Sequence, residues 1–306
     1  MRTVTFPLLA VLGLCGVTTA RAADLDYDYL RGAEYDPVAA PIPVIDWSGF
    51  YVGGHGGFTS TSLGFGNTAQ PIVANDLRQT AVESQFRVST LLSSNASQRV
   101  NGTSFGALAG YNMQFDEIVL GIEADYTHFG SGGAVRDSIG RQMVTSDGFV
   151  NYVYLASNSS TKLDDYATLR ARAGYAFGNF LPFVTGGFAI GSAQITDRVS
   201  VQVAGYDQTT YKANQAIADG SKPAYVGRYG YSAFDANNPE VGLLAPDVFN
   251  RTKTKIVGGF SAGTGIEYAI TPNILLRAEY QYVIFNAFDG HKVNLNTVRG
   301  GAAVKF

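Results

Sequence analysis

The segment "ILLRAEYQYVI", Ile274 to Ile284, alternates with period two: Leu276, Ala278, Tyr280, Tyr282 and Ile284 on one side, Arg277, Glu279 and Gln281 on the other. That is a β-strand with one apolar and one charged face. A soluble sheet shows the same alternation with its apolar face turned to a core, so repetition has to decide between the two.

The pattern recurs. In "EIVLGIEADYTHF", Leu120, Ile122, Ala124 and Tyr126 oppose Glu123 and Asp125. In "DYATLRARAGYAF", Leu169, Ala171, Ala173, Tyr175 and Phe177 oppose Arg170 and Arg172. In "KIVGGFSAGTGIEYAI", Phe260, Ala262, Ile266 and Tyr268 oppose Ser261, Gly263 and Glu267. "LPFVTGGFAIG" from Leu181 and "SFGALAGYNMQF" from Ser104 are weaker versions. "GFYVGGHGGF" from Gly49 opens the set, and Val298 to Phe306 closes it, with Arg299 and Lys305 opposite Val298, Val304 and Phe306. Each segment has about 10 to 13 residues, the length of a tilted strand that spans a bilayer, whereas soluble strands average about 5 to 6.

Connections alternate in length as well. Phe115-Asp116-Glu117, Gly178-Asn179-Phe180 and Thr271-Pro272-Asn273 are tight; Thr59 to Gly102, Gly130 to Lys162, Ala193 to Lys253 and the shorter Asn286 to Asn294 are polar loops. The expected fold is all-β: an eight-stranded antiparallel up-and-down transmembrane β-barrel with short periplasmic turns and long extracellular loops. The aromatics agree: Tyr111, Phe115, Tyr175, Phe177, Tyr268 and Phe306 fall at the short-turn level, and Tyr126, Tyr280 and Tyr282 at the other. Rings at both interfaces make an aromatic girdle.

Composition excludes several classes. Charged residues are 15% of the chain, against about 25% in a typical soluble domain, and net charge is −3, which gives no basic field for nucleic acid. The N-terminus reads as an export signal over residues 1–22: Met1-Arg2, the apolar "FPLLAVLGLCGV", then Ala20-Arg21-Ala22, with cleavage between Ala22 and Ala23. Cys15, the one cysteine, lies within it, so the mature chain forms no disulfide. Residues 23–46, acidic and Pro-rich, read as a periplasmic linker, and 47–306 as the barrel.

"WSGFYVGGHGGF" from Trp47, "GALAGYNMQF" in the second strand and the terminal "GGAAVKF" resemble the Omp25/Omp31-like (opacity/porin-type) family of α-proteobacterial outer-membrane β-barrel proteins. The likeness covers the strands from Trp47 to Phe306 and fades in the loops. It implies outer-membrane lipids as surroundings and the barrel-assembly machinery as a partner during biogenesis, with Phe306 as the assembly signal. It also permits a haemin or host-component receptor role.

An eight-stranded barrel is just wide enough for side chains to fill. Its inward charges are Glu123, Asp125, Arg170, Arg172, Glu267, Arg277, Glu279, Arg299 and Lys305. Lone buried charges are costly, so the set is expected to pair into a plug, with Arg170 and Arg172 facing Glu123 and Asp125. A charged eyelet is the alternative, which the inward Gly53, Gly57, Gly259, Gly263 and Gly301 favour by leaving room for water.

No catalytic, cofactor or metal residues are assigned: His55, His128 and His291 are far apart, and H-E-x-x-H and G-x-S-x-G are absent. An exposed His291 or a loop Tyr is the candidate iron ligand. The loops carry Tyr206, Tyr211, Tyr225, Tyr229 and Tyr231 in polar settings, suited to an extracellular ligand or host component; "FVNYVYLA" from Phe149 suggests β-extension instead. The function expected is structural and surface-interactive, without catalysis. The alternatives are a narrow porin-like diffusion channel for small solutes or ions, and a haemin or host-component receptor.

Overall fold

The computed structural model describes residues 45–306 apart from 93–96, 219–222, 236 and 240. The expected signal segment with Ala22 and Ala23, and all of the expected linker but Ile45 and Asp46, lie outside the described residues.

Nine strands form one antiparallel sheet: β1 (Gly49–Phe65), β2 (Ser97–Phe115), β3 (Ile118–Val144), β4 (Phe149–Tyr175), β5 (Phe180–Asp207), the two-residue β6 (Arg228–Tyr229), β7 (Asp247–Thr271), β8 (Ile274–Phe285) and β9 (His291–Lys305). β9 pairs with β1, and β4 with β5, so the eight long strands close into a ring, with β6 appended to the far end of β5. The closing register sets Gly56 against Gly300 and Gly57 against Arg299. Closure leaves no free sheet edge within the ring.

The short turns lie where the sequence placed them. Asp116 adopts φ 53° in the β2–β3 turn, a left-handed conformation that Asp tolerates better than most residues. At the opposite end, parts of the stretches expected as long loops are strand, while long connections remain between β1 and β2 and between β5 and β7. Residues 130–162 are a hairpin, with β3 and β4 running to a turn at 145–148. β5 has 28 residues and β7 has 25. A strand of that length extends for about 80–95 Å, about two to three times what the bilayer-spanning 9 to 11 residues cover. One wall of the ring, β3-β4-β5-β7, therefore rises well above the β8-β9-β1-β2 wall.

In β4 a change of phase added to the concealment of this wall in the sequence. Below residue 164, odd-numbered positions of β4 face inward: Val153, Leu155 and Leu163 are buried. Above it, Leu169 and Tyr175 are odd-numbered and face outward. The pairing slips between Leu163 and Asp165, leaving Asp164 as the extra residue of a bulge. One added residue turns every later side chain to the other face.

The segment between β1 and β2 folds into α1 (Gln70–Asp76), α2 (Ala81–Phe86) and a 3₁₀ turn (Val88–Thr90). Thr80 caps α2 by accepting from the Glu83 amide. Buried Val73, Val82, Val88 and Leu92 pack on Val153, Leu155, Val199 and Val201 of the tall wall. A last helix, α3 (Gln208–Gln215), starts on Asp207, which accepts from the Thr209 and Thr210 amides.

Candidate functional site

Inside the ring, side chains stack in layers. The middle layer is ionic, and its four carboxylates and four guanidiniums balance in charge. Glu123 binds both Arg170 and Arg277. Glu279 binds Arg170 and takes two bonds from Arg299, at 2.9 and 3.2 Å. Asp125 lies 2.8 Å from Arg299 Nη1 and 2.8 Å from His55 Nε2. Arg172 makes a two-pronged pair with Glu267 at 2.5 and 3.0 Å. Arg172 thus meets Glu267 on β7, whereas the sequence reading set it against the β3 carboxylates. Two aromatics complete the layer. Tyr51 donates to Glu123 at 2.8 Å, and the Arg172 and Arg277 guanidiniums lie 4.2 and 4.6 Å from the centre of the Phe183 ring.

Lys305 stands apart from this layer. Its ammonium donates to the Asp46 carbonyl at the short-turn mouth. The structure brings the other eight expected charges together, on β3, β4, β7, β8 and β9.

The layer is covered on both sides. Toward the short turns, Trp47 is 0% exposed and packs with Ile45, Tyr51, Leu108, Val119, Leu181 and Leu275. The Trp47 indole donates to the Gly178 carbonyl at 3.3 Å, and its amide to Gln114 at 2.7 Å. Ile45 therefore packs into the barrel mouth, two residues before the expected boundary, while exposed Asp46 is held there through its carbonyl. Toward the tall wall, Leu63, Phe65, Leu163, Ile195, Phe285 and Leu295 form a second buried cluster.

The expectation that inward glycines leave room for water is corrected too. At Gly263 an added Cβ would come within 2.8 Å of Thr185 Oγ1 and 2.9 Å of Glu279 Oε1. At Gly53, Gly57, Gly259 and Gly301 it would press into the backbone of the neighbouring strand.

A family model described as outer membrane protein beta-barrel domain matches residues 9–306. The chain belongs to that family. Among similar proteins, the 31 kDa outer-membrane immunogenic protein of Brucella melitensis biotype 1 is 27% identical over 310 residues, covering 98% of each chain. The 22 kDa outer membrane protein of Rhizobium leguminosarum bv. viciae is 23% identical, over 87% of this chain and 82% of its own. Among solved structures, Neisserial surface protein A is 15% identical with a TM-score of 0.32, over 85% of this chain and 98% of that one.

As an outer-membrane barrel, the protein turns its outward apolar side chains to lipid. Tyr111, Phe115, Tyr175, Phe177, Tyr268 and Phe306 are exposed on that face at the short-turn end, and Tyr126 and Tyr280 higher up; Tyr282 is half-buried. The sequence reading left Phe50 and Phe180 out of the girdle. Phe50 lies 6.3 Å from Phe306 and Phe180 lies 4.8 Å from Tyr268, centre to centre.

His291 is the remaining correction. It opens β9 rather than standing in a loop, and it is buried. Its Nδ1 lies 2.6 Å from Thr161 Oγ1 and its Nε2 3.2 Å from Asp197 Oδ1. Phe65 and Phe288 flank the ring. Asp197 and Thr161 escaped the sequence reading because both fell in stretches read as loop. Among the described residues, no group of three or more His, Cys, Asp or Glu side chains is placed to hold a metal ion.

Proposed function

We propose that this outer-membrane barrel is a closed anchor that carries a rigid β-built extension at the cell surface, and that it neither conducts nor catalyses. The observation that carries the reading is the burial of the ionic layer: the Glu123, Arg170 and Glu279 side chains are 0% exposed. A water-filled bore would leave such groups open to solvent. Eight strands enclose a space that side chains can fill, and here apolar clusters cover the ionic layer above and below.

In this reading the short turns face the periplasm and the tall wall faces outward, as in outer-membrane barrels generally. Phe306, exposed at the end of the closing strand, serves as the assembly signal. Residues 1–22 are removed at Ala22-Ala23, and the linker that follows stays periplasmic. The hydroxyl–imidazole–carboxylate array of Thr161, His291 and Asp197 is no catalytic triad, because a substrate has no path to it: all three residues are at most 1% exposed. Contact with an extracellular ligand or host component falls to the tip, where Tyr225 and Tyr229 are exposed beside Arg228.

Planar-bilayer conductance of the refolded mature protein, beside a heat-modifiability gel, tests this. A folded barrel that stays electrically silent supports the proposal. Steady channels reshaped by Arg299→Ala or Glu279→Ala would replace it with a narrow diffusion channel.

A further inference from the structure

The tall wall has an outward face that neither the lipid belt nor the interior accounts for. Four cross-strand rows follow the apolar belt there, and the pairing fixes their members. Arg136 pairs with Asn158, Asn158 with Arg198, and Arg198 with Asn250. The rows on either side place positions 132, 134 and 138 of β3 beside 162, 160 and 156 of β4, then 194, 196 and 200 of β5, then 254, 252 and 248 of β7. None of these sixteen positions (four rows of four) is Asp or Glu, and Val248 is the bulkiest apolar residue among them. Ser, Thr, Asn and Gln predominate, with Gly and Ala between. A groove of about 650 Å³ runs across the middle rows, lined by Arg136, Asn158 and Arg198 together with half-buried Asp137, its one acidic residue.

Charge makes the face specific. The chain as a whole carries −3, and Arg251 and Lys255 elsewhere on the tall wall share the Asp289 carboxylate as ion-pair partner. Arg136 and Arg198 have no ion pair among the described residues. They stand two strands apart, about 10 Å at the usual strand spacing. Two unpaired guanidiniums over hydrogen-bonding side chains fit an anionic, hydroxyl-rich ligand. They do not fit acyl chains, and a second copy laid on the same face would bring Arg against Arg.

Position selects the source of that ligand. The rows continue directly from lipid-facing Leu169, Ile190 and Ile256, across the exposed His128–Asp165 pair at 2.5 Å. They therefore stand at the height of the headgroups in the outer leaflet. We propose that this face binds the anionic sugar headgroups of glycolipids around the barrel, with Arg136 and Arg198 gripping acidic groups and Asn158 lying between them. The inference rests on the outward orientation of the tall wall proposed above.

Native mass spectrometry of the refolded mature protein would test it, using a bisphosphorylated diglucosamine glycolipid and its dephosphorylated counterpart as probes. The wild type should retain the phosphorylated probe about tenfold more tightly than R136S/R198S, and more tightly than it retains the dephosphorylated one. K292S, which removes an exposed cation from the short wall, should match the wild type, and R136K/R198K should fall between. If the double variant is not heat-modifiable, R136S and R198S are compared singly. Equal retention by wild type and variants would overturn the proposal, as would equal retention of the two probes. So would a concentration-dependent dimer that the Arg substitutions abolish. A barrel that conducts would sink the closed reading and leave this test intact.

Discussion

Glu123 on β3 and Arg277 on β8 form a salt bridge inside the barrel although 154 residues separate them in the chain. The bond spans the bore rather than joining neighbouring strands, so β3 and β8 fix each other across the interior. Glu123 also holds Arg170 and accepts from Tyr51, which makes it the centre of the layer.

Glu123→Gln should therefore destabilise the folded barrel by about 3–5 kcal/mol, because it leaves two guanidiniums short of a buried counter-charge. Urea unfolding followed by gel mobility reads this. A loss below about 1 kcal/mol would mean that the layer is hydrated like a surface pair, against the closed reading.

Trp47 is the chain's one tryptophan, so its fluorescence reports on the short-turn mouth alone. Emission should be blue-shifted and nearly insensitive to acrylamide in the folded protein. Trp47→Ala should cost about 3–5 kcal/mol through lost burial and the cavity left behind. Strong quenching of the folded wild type would show the mouth open.

The bulge at Asp164 sets the phase of the tall wall, so deleting the residue and replacing it should differ sharply. Asp164→Ala keeps the register and loses an exposed pair with Lys162 at 2.6 Å, worth about 0–1 kcal/mol. Deletion would turn Leu163, Leu155 and Val153 outward and uncover the α1–α2 contacts. Limited proteolysis should cut the deletion variant between residues 66 and 96 while sparing the substitution.

The hydrogen bond from Lys255, with Arg251 close by, holds the Asp289 carboxyl below the usual carboxylate range. A depressed folded value means that these pairs contribute stability above the unfolded value of about 4 and lose it as pH falls through the folded one. Protection from hydrogen exchange in residues 286–290, measured against an unstructured chain at the same pH, should therefore fall below about pH 4. Asp289→Asn should show that reduced protection already at pH 7 and lose most of the acid dependence.

His291→Ala should leave haemin absorbance titrations unchanged and cost about 1–3 kcal/mol, since it strips Asp197 and Thr161 of a buried partner. A loss of haemin binding at unchanged stability would put His291 at an accessible site instead.

What could be read from the sequence was whatever depends on a residue and its near neighbours. Alternation assigned Glu123, Arg170, Arg277 and Glu279 to one face and Tyr111, Tyr175 and Tyr268 to the other, because period two is a local property of an extended chain. Tight turns such as Phe115-Asp116-Glu117 then ordered the strands into an antiparallel barrel.

Tertiary structure decided the rest. Which guanidinium meets which carboxylate depends on side chains reaching past the neighbouring strand, so Arg172 found Glu267 on β7, one strand beyond β5, rather than a carboxylate on the adjoining β3. Ile45 and Trp47 could be assigned to the barrel mouth only once that mouth existed to receive them. The tall wall stayed hidden because its strands above the lipid belt are polar on the outward face, and in β4 one residue, Asp164, also reverses the faces without local periodicity giving warning. His291 and Asp197 stand 94 residues apart, and only the closed ring buries them together.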